Sequence, residues 1–433
     1  MIPAAQLKRI LLSAAATALL CGAAYAQNTG GDNAGKLYTI EECYALAEQN
    51  YPLIKKYAII KQSAEFTLAN ANKAYLPQLG LGAQATYQSE VTSLAAEGLP
   101  VHIAAIPKDQ YKASVTLSQI IWDGGSIASA KKITRAGENV DKSSLETDMY
   151  TLRERINNLF FGILLAREQI RQTEIYANDL EISYKNIGSF ITAGIANASD
   201  LDIVQVEQLK NLQRKEELEA TLRSYRQMLS YFTGAEIAHV AAPEVESDIQ
   251  ADTENRRPEL EVFNSQLTLL ETRKSGINAA VMPKFSLFAE GGYGNPALNM
   301  LKPGWRLYGL GGIKMSWNFG SFYTRKGEMN LIKNNMSSIE NQRDVFLFNS
   351  GIQAVNNRGE IYKAQQLLAQ DDKIIALREN IIRAARKKTE NGTMTVNELL
   401  KELNAGQQAK QDKIYHRIQL MMAVYNLKYT LNQ

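Results

Sequence analysis

The sequence predicts an α+β fold made by internal duplication, and three observations predict it. Segments of alternating polarity open on a proline in both halves of the chain, a long proline-free helical stretch follows each set, and the same turn residues close both copies. Leu76-Pro77 opens Gln78-Leu79-Gly80-Leu81-Gly82-Ala83-Gln84-Ala85-Thr86-Tyr87, and Met282-Pro283 opens Lys284-Phe285-Ser286-Leu287-Phe288-Ala289-Glu290-Gly291-Gly292-Tyr293. Trp122-Asp123-Gly124-Gly125-Ser126 returns as Trp317-Asn318-Phe319-Gly320-Ser321. Gly194 with Asp200-Leu201 returns as Gly392 with Glu398-Leu399. The period of about 200 residues is too long for a solenoid unit, so each half is expected to be a complete strand, strand, helix, helix module.

The first residues are read as a leader. Lys8 and Arg9 precede an apolar run from Ile10 to Cys21, and Ala24-Tyr25-Ala26 supplies the small-x-small pattern of a signal-peptidase site. A signal peptide is therefore expected over 1–26, with Gln27 starting the mature chain; acylation at Cys21 is the competing reading. Without Cys21 only Cys43 remains. This predicts an exported protein without an intrachain disulfide.

The first repeat is expected over 27–240. It holds an opening helical segment (about 40–75), strands over 78–91 and 110–121, a long helix over 125–193 and a helix over 198–234. A linker over 241–257 leads to the second repeat, 258–433, with an opening helix over 258–281, strands over 284–294 and 305–318, a long helix over 320–391 and a helix over 395–432. In the first strand Leu79, Leu81, Ala83, Ala85 and Tyr87 alternate with Gly80, Gly82, Gln84 and Thr86, a period of two. Tyr111, Ala113, Val115 and Leu117 alternate with Lys112, Ser114, Thr116 and Ser118 in the second. Phe288 and Leu310 interrupt the later pair. Such segments suit either a half-buried sheet in a soluble sandwich or a membrane barrel with an apolar outside and a polar lumen. The export signal, strand lengths of about ten residues and aromatic residues at strand ends favour the barrel. Each long helical stretch of about 70 residues would reach about 100 Å, beyond any globular core. Two shorter helices end to end would cover each, giving narrow coiled-coil-like seams.

Composition narrows the function classes. The 433-residue chain carries 48 Lys and Arg against 45 Asp and Glu, a balance that argues against a nucleic-acid partner. Beyond the leader, no segment reaches the roughly 18 apolar residues of a spanning helix, so strands would make any membrane crossing. His102, His239 and His416 have no metal-ligand spacing, and no phosphate-cradling glycine loop is present. No catalytic residue, metal or cofactor is expected. Arg153-Glu154-Arg155 and Arg386-Lys387-Lys388 read as solvated helix faces, and Glu42 and Arg257 as caps or first-turn residues.

At this point the chain resembles the TolC family of outer-membrane efflux channels over essentially its mature length. The resemblance rests on Thr39-Ile40-Glu41-Glu42-Cys43 leading into Ala47-Glu48-Gln49-Asn50-Tyr51-Pro52, the Leu76-Pro77 and Met282-Pro283 strand starts, and the Trp-x-x-Gly turns. Arg257-Pro258-Glu259-Leu260 and the Gly-x5-acid turns at Gly194 and Gly392 complete it. It implies an α+β membrane protein: a homotrimer whose protomers give four strands each to one 12-stranded β-barrel in the outer membrane, continued by a long periplasmic α-helical barrel. The implied function is a passive exit duct in a tripartite efflux or type I secretion system. Its implied partners are a periplasmic adaptor, an inner-membrane pump or ABC exporter, and outer-membrane lipid. A structural coiled-coil envelope protein and a general diffusion porin are the alternatives. Carried over by position, Asp200 and Glu398 match acidic members of the periplasmic constriction and Ser199 a small hydroxyl residue, with Gly194 and Gly392 at the adaptor-facing hairpin tips. Lys401 stands where the family's best-known member has a second acid, and Thr389 and Met394 replace its linking tyrosine and arginine. Residues 92–109 and 295–305 are expected as external loops.

Overall fold

The computed structural model describes residues 35–91, 106–194, 196–244, 254–300, 302 and 304–433. The expected leader with Cys21, His102, most of the expected loop 92–109 and the middle of the expected linker 241–257 lie outside the described residues. The chain runs β1 (Leu37–Tyr38), α1 (Ile40–Asn50), a 3-10 turn (Pro52–Ile54), α2 (Lys55–Lys73), β2 (Gln78–Tyr87), β3 (Asp109–Trp122), α3 (Ser126–Tyr150), α4 (Leu152–Thr192) and α5 (Ala198–Thr233). It continues with β4 (His239–Val240), α6 (Glu259–Ala280), β5 (Lys284–Asn295), β6 (Arg306–Ser316), α7 (Gly320–Glu390) and α8 (Val396–Leu431).

The helical stretch expected as one element over 125–193 is two helices that meet at Thr151. The Thr147 hydroxyl donates to Ser143 O at 3.2 Å and the Thr151 hydroxyl to Asp148 O at 2.8 Å. Hydroxyls that bond back to the preceding turn compete with the backbone ladder and bend helices. In the second repeat the equivalent stretch stays unbroken for 71 residues as α7. The opening segment is likewise divided, at Pro52, which has no N–H to donate and holds Tyr51 at an extended ψ of 130°. β2 is shorter than the expected 78–91. Its pairing gives out after Gln88, whose N–H donates to Lys108 O at 2.9 Å.

Two compact units form, and neither is a sequence repeat, because each draws segments from both halves. One comprises Met1–Asn50, Glu154–Asp248 and Glu360–Tyr425; the other comprises Tyr51–Arg153, Ile249–Gly359 and Asn426–Gln433. Helices far longer than a core are shared between units in this way.

The second unit contains a four-stranded antiparallel sheet in the order β2-β3-β5-β6, so β2 and β6 are its edges. Its register brings Leu81, Val115, Gly291 and Gly309 into one row, and Gln84, Lys112, Gly294 and Arg306 into another. Since side chains alternate across a strand, odd-numbered residues share one face and even-numbered residues the other, except that a register shift after Ile120 sets Trp122 opposite Phe285 on the odd face. The odd face is apolar and uncovered: Leu81 is 84% exposed, Leu307 82% and Ile313 70%. Aromatic rings mark both ends of that face. Trp305 stacks on Tyr111 at 5.9 Å and on Tyr293 at 5.3 Å, while Trp122 meets Phe285 at 6.0 Å.

The repeated tryptophan turns have a common cause. Asp123 accepts from Gly125 N at 3.0 Å and Asn318 accepts from Gly320 N at 3.0 Å, so each side chain closes an Asx turn into the following helix. Gly124 has φ +72°, and a Cβ there would lie 2.7 Å from Met282 Cβ. In the first unit, Cys43 packs fully buried with Ile40 and Ala47 on one face of α1. Burial pushes its thiol up to about 12, helped by Glu42 and Glu41, so the group is inert packing material. Arg257 is more than a first-turn residue. Its guanidinium lies 4.9 Å from the Tyr429 ring, 5.4 Å from Phe346 and 5.5 Å from Tyr150, and pairs with Glu259.

Candidate functional site: the paired hairpin tips

Two helical hairpins, α4–α5 and α7–α8, carry all the residues singled out for the constriction. Each outgoing helix stops on a left-handed glycine, Gly194 at φ +72° and Gly392 at φ +69°. At the second tip Thr393 N donates to Lys388 O at 2.9 Å and Gly392 N to Thr389 O at 3.0 Å. This is a Schellman ending. At the first, Gly194 N donates to Ile191 O at 3.0 Å.

Each returning helix starts on a capping box, in which a side chain and an acid three residues later satisfy each other's backbone N–H. Asn197 N donates to Asp200 Oδ2 at 2.9 Å, and the Asn197 side chain caps the N–H of Asp200 in return. Thr395 N and the Thr395 hydroxyl both donate to Glu398 Oε2 at 2.9 Å, and Glu398 N donates to Thr395 Oγ1 at 3.3 Å. The Gly-x5-acid spacing is therefore the shortest link these tips use between a glycine stop and an acid-closed start. Thr39 and Glu42 use the same box at the start of α1, at 3.0 and 3.2 Å, so Glu42 is a cap.

The carboxylate of Glu398 remains on the surface. The Thr395 N–H, then its hydroxyl, and to a lesser degree the Lys401 charge hold its pKa below the usual carboxylate value. A depressed pKa means the cap contributes above the unfolded-state pKa and is lost as pH falls through the lowered folded value. Lys401, one turn further along α8, is exposed, as is Ser199, whereas Asp200 is half-buried.

A shared core brings the two tips together. Tyr176, Leu180 and Ile187 of α4 and Val204 of α5 cluster with Ala385 of α7 and Val396, Leu399, Leu400 and Leu403 of α8. Polar links border it: Arg386 donates to Asp179 at 3.0 Å, Gln172 to Gln407 at 2.8 Å, and the Tyr176 hydroxyl to Asn404. The sequence alone does not single out these cross-hairpin residues, and Arg386, expected on a solvated helix face, is instead paired with Asp179. Helical spacing marks Tyr176, Leu180 and Ile187 as one face, but nothing local identifies the partner helix. Thr389 is buried, donating to Ala385 O at 3.0 Å, and Met394 packs against the core's edge. Of the histidines, His416 Nδ1 lies 2.8 Å from Asp371 Oδ2, and His239 pairs with Leu37 in the β1·β4 ladder.

This combination of a half-exposed antiparallel sheet and long paired helical hairpins is the fold of outer-membrane channel proteins. The chain superposes on VceC of Vibrio cholerae with a TM-score of 0.65 at 11% identity, covering 90% of this chain and 95% of that one. It superposes on the Campylobacter jejuni CmeC outer membrane channel with a TM-score of 0.63 at 13% identity, covering 90% and 85%. For CusC the TM-score is 0.66 at 13% identity, covering 94% and 95%. Comparison with curated proteins finds no match. The sequence pattern of the outer membrane efflux protein family matches residues 43–235. That match covers most of the first repeat, and the fold shared with the solved channels extends over both.

Proposed function

We propose that three copies of this chain form a passive exit duct across the outer membrane, receiving substrate from an inner-membrane pump through a periplasmic adaptor. The observation that carries this reading is the sheet: one face is apolar and bare, and both edge strands lack a partner among the described residues. Unpaired edges in an apolar medium are prohibitively costly, so four strands in lipid require further strands from other copies. The aromatic ends of the face fit the thickness of the membrane. From Tyr111 to Trp122 the strand climbs about 36 Å, or about 28 Å along an axis from which it tilts by about 40°. Along α7, Val345, Phe348, Ile352 and Val355 are all exposed at alternating spacings of three and four. That is a coiled-coil seam without a partner among the described residues, and a second copy would supply one.

The hairpin tips then form the inner mouth, with Gly194 and Gly392 facing the adaptor. Asp200, Glu398 and Lys401 set its charge, and Ser199 lies beside them. Because Asp200 and Glu398 also cap helices, charge and structure must be tested separately. Purified protein is expected to give discrete conductance steps in planar bilayers. Glu398→Gln retains a capping acceptor while removing the charge, and is expected to weaken cation selectivity with little loss of stability; Glu398→Ala removes both and also loses the side-chain half of the capping box. If Gln behaves as wild type in selectivity, Glu398 is a cap and nothing more. Protein that inserts without conducting would refute the duct.

A further inference from the structure

The even-numbered face of the sheet carries an imbalance of charge. Within the four strands its cations are Lys112, Lys284, Arg306 and Lys314, and its one acid is Glu290. Glu290 is already spoken for: Lys112 Nζ lies 2.6 Å from its Oε1, and the Tyr308 hydroxyl donates to the same oxygen at 2.8 Å. Lys112 also sits 5.2 Å from the centre of the Tyr308 ring. Tyr308 can lie flat against the sheet because Gly292 is beside it, where a Cβ would come within 2.3 Å of the hydroxyl. Lys284, Arg306 and Lys314 are exposed and have no ion pair among the described residues.

On the duct reading this face lines the lumen, since the apolar face must meet lipid. We infer that the strand-built section of the pore is an anion-attracting surface, with Lys284, Arg306 and Lys314 as its uncompensated charges and the Lys112–Glu290–Tyr308 cluster as the brake on it. Each protomer contributes a net charge of +3 there (four cations less one acid). Like charges lining a low-dielectric wall raise the local concentration of the opposite ion. The section thus favours solutes bearing carboxylate, phosphate or sulfonate groups, in opposition to the acidic hairpin tips. Because screening shortens the reach of these charges, the effect is greatest at low ionic strength.

The test is the reversal potential of single channels in a potassium chloride gradient at low salt. The Lys284→Gln, Lys314→Gln pair breaks no side-chain ion pair or hydrogen bond among the described residues and is expected to lower the chloride-to-potassium permeability ratio about two-fold or more. Glu290→Gln is expected to raise it. Glu290→Gln also frees Lys112 and Tyr308, so the lysine pair keeps the test valid should that variant fold poorly. Channels of unchanged conductance whose reversal potential is unmoved by the lysine pair would overturn the inference while leaving the duct intact. Wild-type protein that inserts and never conducts removes the duct reading, a result distinct from the first.

Discussion

Arg257→Ala is expected to destabilise the detergent-extracted protein by about 3–5 kcal/mol, the penalty for stripping one partner from a desolvated ion pair. The Arg257 side chain is 10% exposed and that of Glu259 17%, so the abandoned carboxylate has little water to turn to. The substitution also empties the space between Tyr150 and Tyr429, whose rings stack at 4.9 Å, and Phe346. Arg257→Lys retains the charge but not the planar fork that lies against three rings, and should recover only part of the loss. Thermal unfolding followed by circular dichroism measures the effect. A midpoint equal to wild type for the alanine variant would show that the cluster is ornamental.

Leu81→Arg is expected to prevent assembly in the membrane, whereas Gln84→Arg, three residues along the same strand, is expected to be tolerated. Leu81 lies on the bare apolar face and Gln84 on the polar one, opposite Lys112. An arginine facing lipid near the midplane costs about 2–4 kcal/mol per copy, and three copies multiply that cost. Outer-membrane fractions from cells expressing each variant provide the readout. Equal yields of the two would mean that the apolar face does not meet lipid, and a lower yield for Gln84→Arg would mean that the faces are assigned the wrong way round.

The sheet was legible because alternation is local: Leu79 to Tyr87 and Tyr111 to Ser118 state their faces within one strand. Helix ends were legible for the same reason, since a glycine and an acid six residues later encode a stop and a start. The break at Thr151 was not, because its hydroxyl bond to Asp148 competes with a helix that the apolar spacing of Leu152, Ile156 and Leu159 would continue. Nor was the tip core. Asp179 and Arg386 are separated by most of the chain's second half, and only the fold makes them neighbours. The candidate constriction residues come from a resemblance alone. The geometry gives Asp200 and Glu398 a local job that the resemblance did not mention, and physical chemistry assigns that job to any acid at the third position of such a helix.

The account depends on closure by copies of the chain: a four-stranded sheet with two open edges and an unpartnered seam at Val345, Phe348, Ile352 and Val355 is incomplete alone. Native mass spectrometry of the detergent-extracted protein tests this most directly. A mass of three chains, falling to one when Phe348 and Ile352 are both replaced by aspartate, is the predicted result. A wild-type mass of a single folded chain would contradict it.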